Sequence, residues 1–480
     1  MKSLFRGAFL RGVSASVLAA SLAACTANPQ ALNRPGDMPA AFIAPSDKAA
    51  PVWPQASWWG KFGSDELAPL QETAQKENLD IAQAAARVLQ AEASDGIALA
   101  ALFPSLGGSF EASRSGGNSS IPRAHNSFSA GLTASYQQGF FGTQYLQLQA
   151  AREDLRASRY AAAVTGISIS TQVADEYFRI LSFRERIAIA NANIAASKRI
   201  LAITQAKVNS GVSSNLDLAE QQAILAQQES SLPGLIQAEK QARYSLAILL
   251  GRAPEGYDVT AQNLNGIEAP SIQPGLPSEL LLRNPSIAQA EAELYAAHAN
   301  VDYARSLYFP SLNLSGGAGY GAGALSSLFG PAGFAWHIGA TVLQSIFDGG
   351  RIHAQNDLQQ ARQQEQIAAY RKTVFTAFGD VEIALDTVKS TTDTLALVEI
   401  QTKADAEAFR ISELQYREGT IDILSLLQNQ QRLFSDQQQL VATKLQRLEA
   451  SLSLYNALGG GWDQKTDDAN YKNQLDWWPL

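Results

Sequence analysis

The sequence predicts a mixed fold of long α-helical hairpins and membrane-crossing β-strands, built twice within one chain. Three observations predict it. First, the turn at Gly211 recurs at Gly419, an offset of 208 that also pairs Val173 with Val381, Leu216 with Leu424, Gln222 with Gln430 and Leu250-Gly251 with Leu458-Gly459. Nearer the start of each repeat the offset is 206, where Phe103-Pro104-Ser105-Leu106 matches Phe309-Pro310-Ser311-Leu312. Second, 142–208 and 350–418 contain no proline and keep a helical period. Third, two segments in each repeat alternate apolar and small polar residues with period two. Each repeat is about 175 residues, well beyond the 20 to 50 of a solenoid unit, so the chain is a doubled domain.

The 480 residues are 46% hydrophobic and only 17% charged, and Ala and Gln fill the helical runs, a composition suited to long helices with small contact residues. A net charge of −8 leaves no basic stripe for phosphates and excludes nucleic acid as a partner. Residues 1–24, with Lys2, Arg6 and Arg11 before a weakly apolar run, read as a secretory signal. It ends at Leu22-Ala23-Ala24-Cys25, which resembles the bacterial lipobox, and Cys25 is the only cysteine. A covalent lipid on Cys25 is the one prosthetic group expected; no other cofactor is. Residues 25–57, rich in Pro and Ala, then form a linker from that anchor.

The first repeat spans 58–251. Trp58-Trp59 through Leu67 opens its first helix, with Ser64 or Asp65 as cap, and the helical period continues to 102 with a break near Asn78. Beyond Pro104, Phe110 and Ala112 alternate with Ser109, Glu111 and Ser113, and Phe128, Ala130, Leu132, Ala134 and Tyr136 alternate with Ser and Gly. The second repeat, 284–459, repeats this with Leu312, Leu314, Ala318 and Tyr320, then Phe334, Trp336, Ile338, Ala340 and Val342. Strands of about 10 residues cross a bilayer when tilted. A half-buried soluble sheet has the same pattern; the secretion signal and the small second face favour the membrane. Four strands cannot close a barrel and an open edge in lipid is forbidden, so the chain must associate: two copies give eight strands and a filled barrel, three give twelve and a pore.

The long runs correspond to roughly 100 Å of helix each, at 1.5 Å per residue. Gly211 and Gly419 end them in the left-handed conformation, and Ser214 with Asp217, then Asp422, start the return helices. A Pro/Gly-rich connector at 252–283 separates the repeats, and a polar tail, 460–480, follows the second.

Together the Trp58-to-Leu67 entry, Gly275-Leu276-Pro277-Ser278-Glu279-Leu280-Leu281, Arg283-Asn284-Pro285-Ser286-Ile287, the two Phe-Pro-Ser-Leu strand entries, Phe347-Asp348-Gly349-Gly350 and Tyr416-x-x-Gly419 resemble the TolC-like outer-membrane factors. Within these the chain is most similar to the lipoprotein, NodT-like subgroup of resistance-nodulation-division (RND) multidrug efflux systems. The resemblance covers nearly the whole mature chain. It implies a homotrimer, with a 12-stranded transmembrane β-barrel, a periplasmic helical barrel, and an equatorial belt that includes the connector and tail. It also implies an exit duct in the outer membrane, working with a periplasmic membrane-fusion adaptor and an inner-membrane RND pump. The turns at Gly211 and Gly419 would be the periplasmic entrance. The family often carries acids six and nine residues after the second glycine; here these are Ser425 and Gln428, so Asp217, Asp422 and Tyr416 join them as candidates for the constriction. Three copies of each aspartate near an axis would raise their pKa by repulsion.

No phosphate-binding glycine loop, and no nucleophile with a base and an orienting group, occurs in the sequence, so an enzyme is disfavoured. The four histidines lack ligand spacing and read as solvated or lumen-facing. The alternatives are an outer-membrane component of a type I protein secretion system and a non-conducting envelope scaffold.

Overall fold

A computed structural model describes residue 42 and residues 57–116, 124–271 and 277–464. Cys25, the signal expected over 1–24, nearly all of the linker expected over 25–57 and the tail beyond 464 lie outside the described residues. The chain divides into two compact units, one holding 91–155 and 293–368, the other 39–90, 156–292 and 369–480. Its order is a short 3-10 turn (Trp58–Phe62), α1 (Leu67–Glu77), α2 (Leu79–Ala100), β1 (Ser105–Ser115), β2 (His125–Gly139), α3 (Thr143–Asn209), α4 (Asn215–Leu249), α5 (Pro277–Leu280), α6 (Pro285–Ser306), β3 (Ser311–Ala322), β4 (Phe334–Leu343), α7 (Arg351–Glu418) and α8 (Ile423–Ala457). Among the described residues no helix is long and apolar enough to cross a membrane.

The first unit contains one sheet in the order β1-β2-β3-β4, antiparallel throughout. The two repeats meet at its centre, where β2 pairs with β3. Phe110 lies beside Ala130, Ala130 beside Tyr320 and Tyr320 beside Phe334, so the apolar residues of all four strands share one face. That face is bare in the single chain: Trp336 is 68% and Ile338 83% exposed. Its opposite is small and polar, and at its centre Gly131 sits beside Gly319. A Cβ on Gly319 would come within 2.7 Å of the Ala130 carbonyl oxygen and 2.8 Å of Gly131 Cα, so this pair lets the sheet curl toward its polar side. Among the described residues β1 and β4 each keep one edge without a partner strand.

In the second unit the duplication extends to individual hydrogen bonds. Asn78, between α1 and α2, accepts from Asp80 N–H at 2.8 Å and Ile81 N–H at 3.0 Å, and donates Nδ2 to the Leu249 carbonyl at 2.8 Å. Asn284 accepts from Ser286 N–H at 2.9 Å and donates to the Ala457 carbonyl at 3.2 Å. In both repeats one asparagine therefore caps the short helix and holds the end of the return helix. The first α-helix starts at Leu67, just after the expected cap positions Ser64 and Asp65, and the Trp58–Phe62 stretch before it is a separate 3-10 turn ended by Gly63 at φ 76. Ser64 Oγ accepts from Leu67 N–H at 3.3 Å. The turn breaks away so that Trp58 can stack on Tyr455, 4.4 Å between centroids, and Phe62 can pack on Phe178 at 5.2 Å.

The connector is pinned to the long helix. Arg184 of α3 pairs with Glu239 at 3.2 Å and with Asp258, and donates to the Val259 and Ala261 carbonyls at 2.7 and 2.8 Å. Burial opposes ionisation of Glu66, yet bonds from the Thr260 hydroxyl and N–H, the Ala261 N–H and the Tyr177 hydroxyl outweigh it and hold the carboxyl below its usual range.

Candidate functional site at the helix turns

Both long helices end in the same motif. Gly211 has φ 76 and Gly419 φ 75. Val212 N–H bonds to the Lys207 carbonyl at 2.9 Å and Gly211 N–H to the Val208 carbonyl at 3.0 Å; Thr420 and Gly419 repeat this on Gln415 and Tyr416 at 2.9 and 3.2 Å. These paired bonds satisfy the carbonyls that a helix end leaves open, and need the left-handed residue that glycine supplies without strain.

The two aspartates are bound up in the starts of the return helices. Ser214 caps α4: Asp217 N–H donates to its Oγ at 3.2 Å, while Asp217 Oδ2 accepts from Ser214 N–H at 3.0 Å and from the Ser213 hydroxyl at 2.5 Å. Asp422 caps α8 by accepting from Ser425 N–H at 2.8 Å. The Ser213 hydroxyl and then the Ser214 N–H hold the Asp217 carboxyl below the usual range; for Asp422 the Ser425 N–H does so. Repulsion from Asp217 raises Asp422 but is outweighed. Within one chain, then, the cap bonds set the direction of the shift because they are closer than the like charge; the rise expected from the sequence belongs to repulsion between copies around an axis. A depressed pKa adds stability that is present above the ordinary Asp range, near pH 4, and is lost as pH falls through the lowered values. Protection of the Asp217 and Ser425 amides, meaning their exchange relative to an unstructured chain at the same pH, should accordingly hold at neutral pH and fall only below about pH 4. Loss of that protection between pH 7 and pH 5 would contradict these caps.

Tyr416 differs from its expected place at a constriction. It is 3% exposed, in a cluster with Ile200, Ile423, Leu426 and Leu427, so its ring supports the turns from inside. Its hydroxyl meets Thr204 Oγ1 at 3.1 Å; Lys207 Nζ lies 4.1 Å from its ring centroid and also donates to its carbonyl oxygen. Lys207 and Thr204, which sequence reasoning passed over, thus join the end of α3 to the end of α7. The exposed set at the turns is Asp422, Leu424 and Gln428, with Ser425 half-buried, together with Gly211, Val212, Leu216 and Gly419. Among the described residues no group of three or more His, Cys, Asp or Glu side chains could hold a metal ion.

The sequence profile of a family described as outer membrane efflux protein matches residues 70–252 and 276–460. The two segments begin 206 and end 208 residues apart, the same two offsets as the internal repeat. The chain is 36% identical over 415 residues to the pyoverdine export outer membrane protein OpmQ of Pseudomonas aeruginosa, covering 84% of this chain and 87% of that one. It is 28% identical over 416 residues to the cation efflux system protein CusC of Escherichia coli, covering 86% and 90%. Among solved structures, the open state of the Neisseria gonorrhoeae MtrE outer membrane channel superposes with a TM-score of 0.84 at 28% identity, covering 92% of this chain and 99% of that one.

Proposed function

The chain belongs to the outer membrane efflux protein family, and on that footing we propose that its helix turns form the pump-facing entrance of the duct. The protein is an outer-membrane exit duct of an efflux system, with its helical part in the periplasm. Three copies supply the twelve strands of its barrel. The observation that carries the conducting role is a sheet with one apolar face, one small polar face and two unpaired edges: closure turns the first face to lipid and leaves the second around a water-filled bore. Purified trimers in a planar bilayer should conduct; assembled trimers without conductance would favour the non-conducting scaffold.

The partners follow from where energy enters. The turns would be engaged by a periplasmic membrane-fusion adaptor that links the homotrimer to an inner-membrane RND pump. Relatives named for pyoverdine export and for cation efflux both align with more than four fifths of this chain, which supports cargo selection by the pump and not by the duct. At the entrance, Asp217, Asp422, Ser425 and Gln428 would face the constriction. Asp217→Asn with Asp422→Asn keeps both cap acceptors and removes both charges, so it should weaken cation selectivity at the cost of only the small stability that the charged caps add at pH 7. Unaltered selectivity would leave the constriction to Leu424, Ser425 and Gln428.

The lipid on Cys25 would hold the chain's start to the outer membrane. Cys25→Ser should lose palmitate label yet keep the trimer, since sheet and helices do not depend on the anchor. Label that persists would reject acylation at this residue.

A further inference from the structure

The polar face of the sheet has few charges, and they fall at its edges. Across all four strands the only ionisable side chains on that face are Glu111 on β1, His125 on β2 and His337 on β4. His125 is engaged within its own chain by Ser115 Oγ at 3.2 Å. Glu111 and His337 are exposed, and among the described residues neither side chain makes a hydrogen bond or ion pair. They sit on the two strands that lack an outer neighbour. In the single chain the His337 ring lies back over Gly317, so close that a Cβ there would come within 2.5 Å of its Cε1.

We propose that Glu111 of one copy and His337 of the next form a pair across each seam of the trimeric barrel and set the register in which the copies join. This rests on the trimer reading given above. β1 and β4 run in opposite directions within the sheet, so β4 of one copy meets β1 of the next as an antiparallel neighbour. Full overlap puts Ser105 beside Leu343 and covers every residue of β4. That register sets Glu111 directly opposite His337, both toward the bore, with Cβ atoms about 5 Å apart. The smallest slip that keeps bore residues facing the bore is two residues, because a slip of one turns every side chain to the wrong face. Such a slip leaves the pair diagonal, at about 7–8 Å.

The rest of the seam distinguishes these registers poorly. Gly, Ser and Thr dominate the bore side and lipid accepts any apolar side chain, so strands of this kind specify register weakly. A carboxylate opposite an imidazole N–H does distinguish them, whether the imidazole is neutral or charged.

Glu111→Cys with His337→Cys, oxidised so that a disulfide forms only where the two Cβ atoms approach to about 4.5 Å and not across the diagonal spacing, should give covalent dimers and trimers on denaturing gels. Neither single variant, each still carrying Cys25, should do so. Ser105→Cys with His337→Cys is six residues out of register, roughly 20 Å at 3.3 Å per residue, and should remain monomeric. A heat-sensitive trimer that forms normally while the first pair fails to cross-link, or while the second cross-links instead, overturns the proposed register. If the parent chain itself forms no trimer, the trimer reading fails first. A second measurement does not depend on cysteines. Glu111→Lys should lower the temperature at which the trimer dissociates by several degrees, Glu111→Gln should stay near the parent, and His337→Glu should restore Glu111→Lys. Parent-like dissociation of Glu111→Lys overturns the pair.

Discussion

Replacing Gly459 by valine should leave no assembled trimer, whereas the same change at Gly419 should leave assembly intact. Both residues have positive φ, 83 and 75, so valine strains the backbone at each by about 1–2 kcal/mol. Their surroundings separate them. A Cβ on Gly459 would lie 1.8 Å from the Arg283 carbonyl oxygen and 2.8 Å from its carbon, both backbone atoms that cannot turn aside. Around a Cβ on Gly419 no atom of the described residues beyond its chain neighbours lies within 4 Å. The clash falls where Asn284 holds the Ala457 carbonyl, so relieving it pulls the end of α8 from the start of α6. A change that both clashes and breaks that bond belongs with those costing more than about 4 kcal/mol. Gly251→Val should behave alike, since its Cβ would lie 2.1 Å from the Glu77 carbonyl oxygen. Trimer yield in outer-membrane fractions, read on unheated gels, checks all three, and normal amounts of Gly459→Val trimer would refute the account.

The repeated glycines show why so much of the fold was legible. Gly211 and Gly419, and Gly251 and Gly459, mark helix ends through backbone geometry, which depends on local sequence and recurs wherever the sequence does. The strands were legible for a related reason: period two fixes which side chains share a face, and the register keeps them together. Where two elements meet sideways, local sequence carries no such signal. Nothing near Trp58 announces that it will stack on Tyr455, or that the residues before the Ser64 cap will form a 3-10 turn. Lys207 was illegible in the same way, because its partner Tyr416 lies in the other repeat, where the position equivalent to Tyr416 is Val208. The aspartates were half legible. Their capping sites could be read from spacing, but the direction of their titration depends on whether hydrogen bond or like charge is nearer, which only coordinates decide.

That inter-repeat contact carries the second large effect. Tyr416→Ala should raise conductance without lowering the temperature at which the trimer dissociates. The ring fills the cluster shared by Ile200 of α3 and Ile423, Leu426 and Leu427 of α8, and deleting a buried aromatic side chain costs about 3–5 kcal/mol. It also removes the surface on which Lys207 Nζ rests at 4.1 Å and the hydroxyl bonded to Thr204 at 3.1 Å. What loosens is the joint between the two helix ends, far along the chain from the strands, so conductance should change before assembly does. Tyr416→Phe separates packing from hydrogen bonding. Thr204 Oγ1 keeps its bond to the Ile200 carbonyl at 3.0 Å, and loss of one such hydroxyl contact costs about 1 kcal/mol, so this variant should conduct nearly as the parent. Lys207→Met keeps an apolar stem over the ring but loses the charge and the bond to the Tyr416 carbonyl, and should fall between the two. Parent-like conductance in both Tyr416→Ala and Lys207→Met would mean that the turns are held by contacts between copies instead of by this joint within each one.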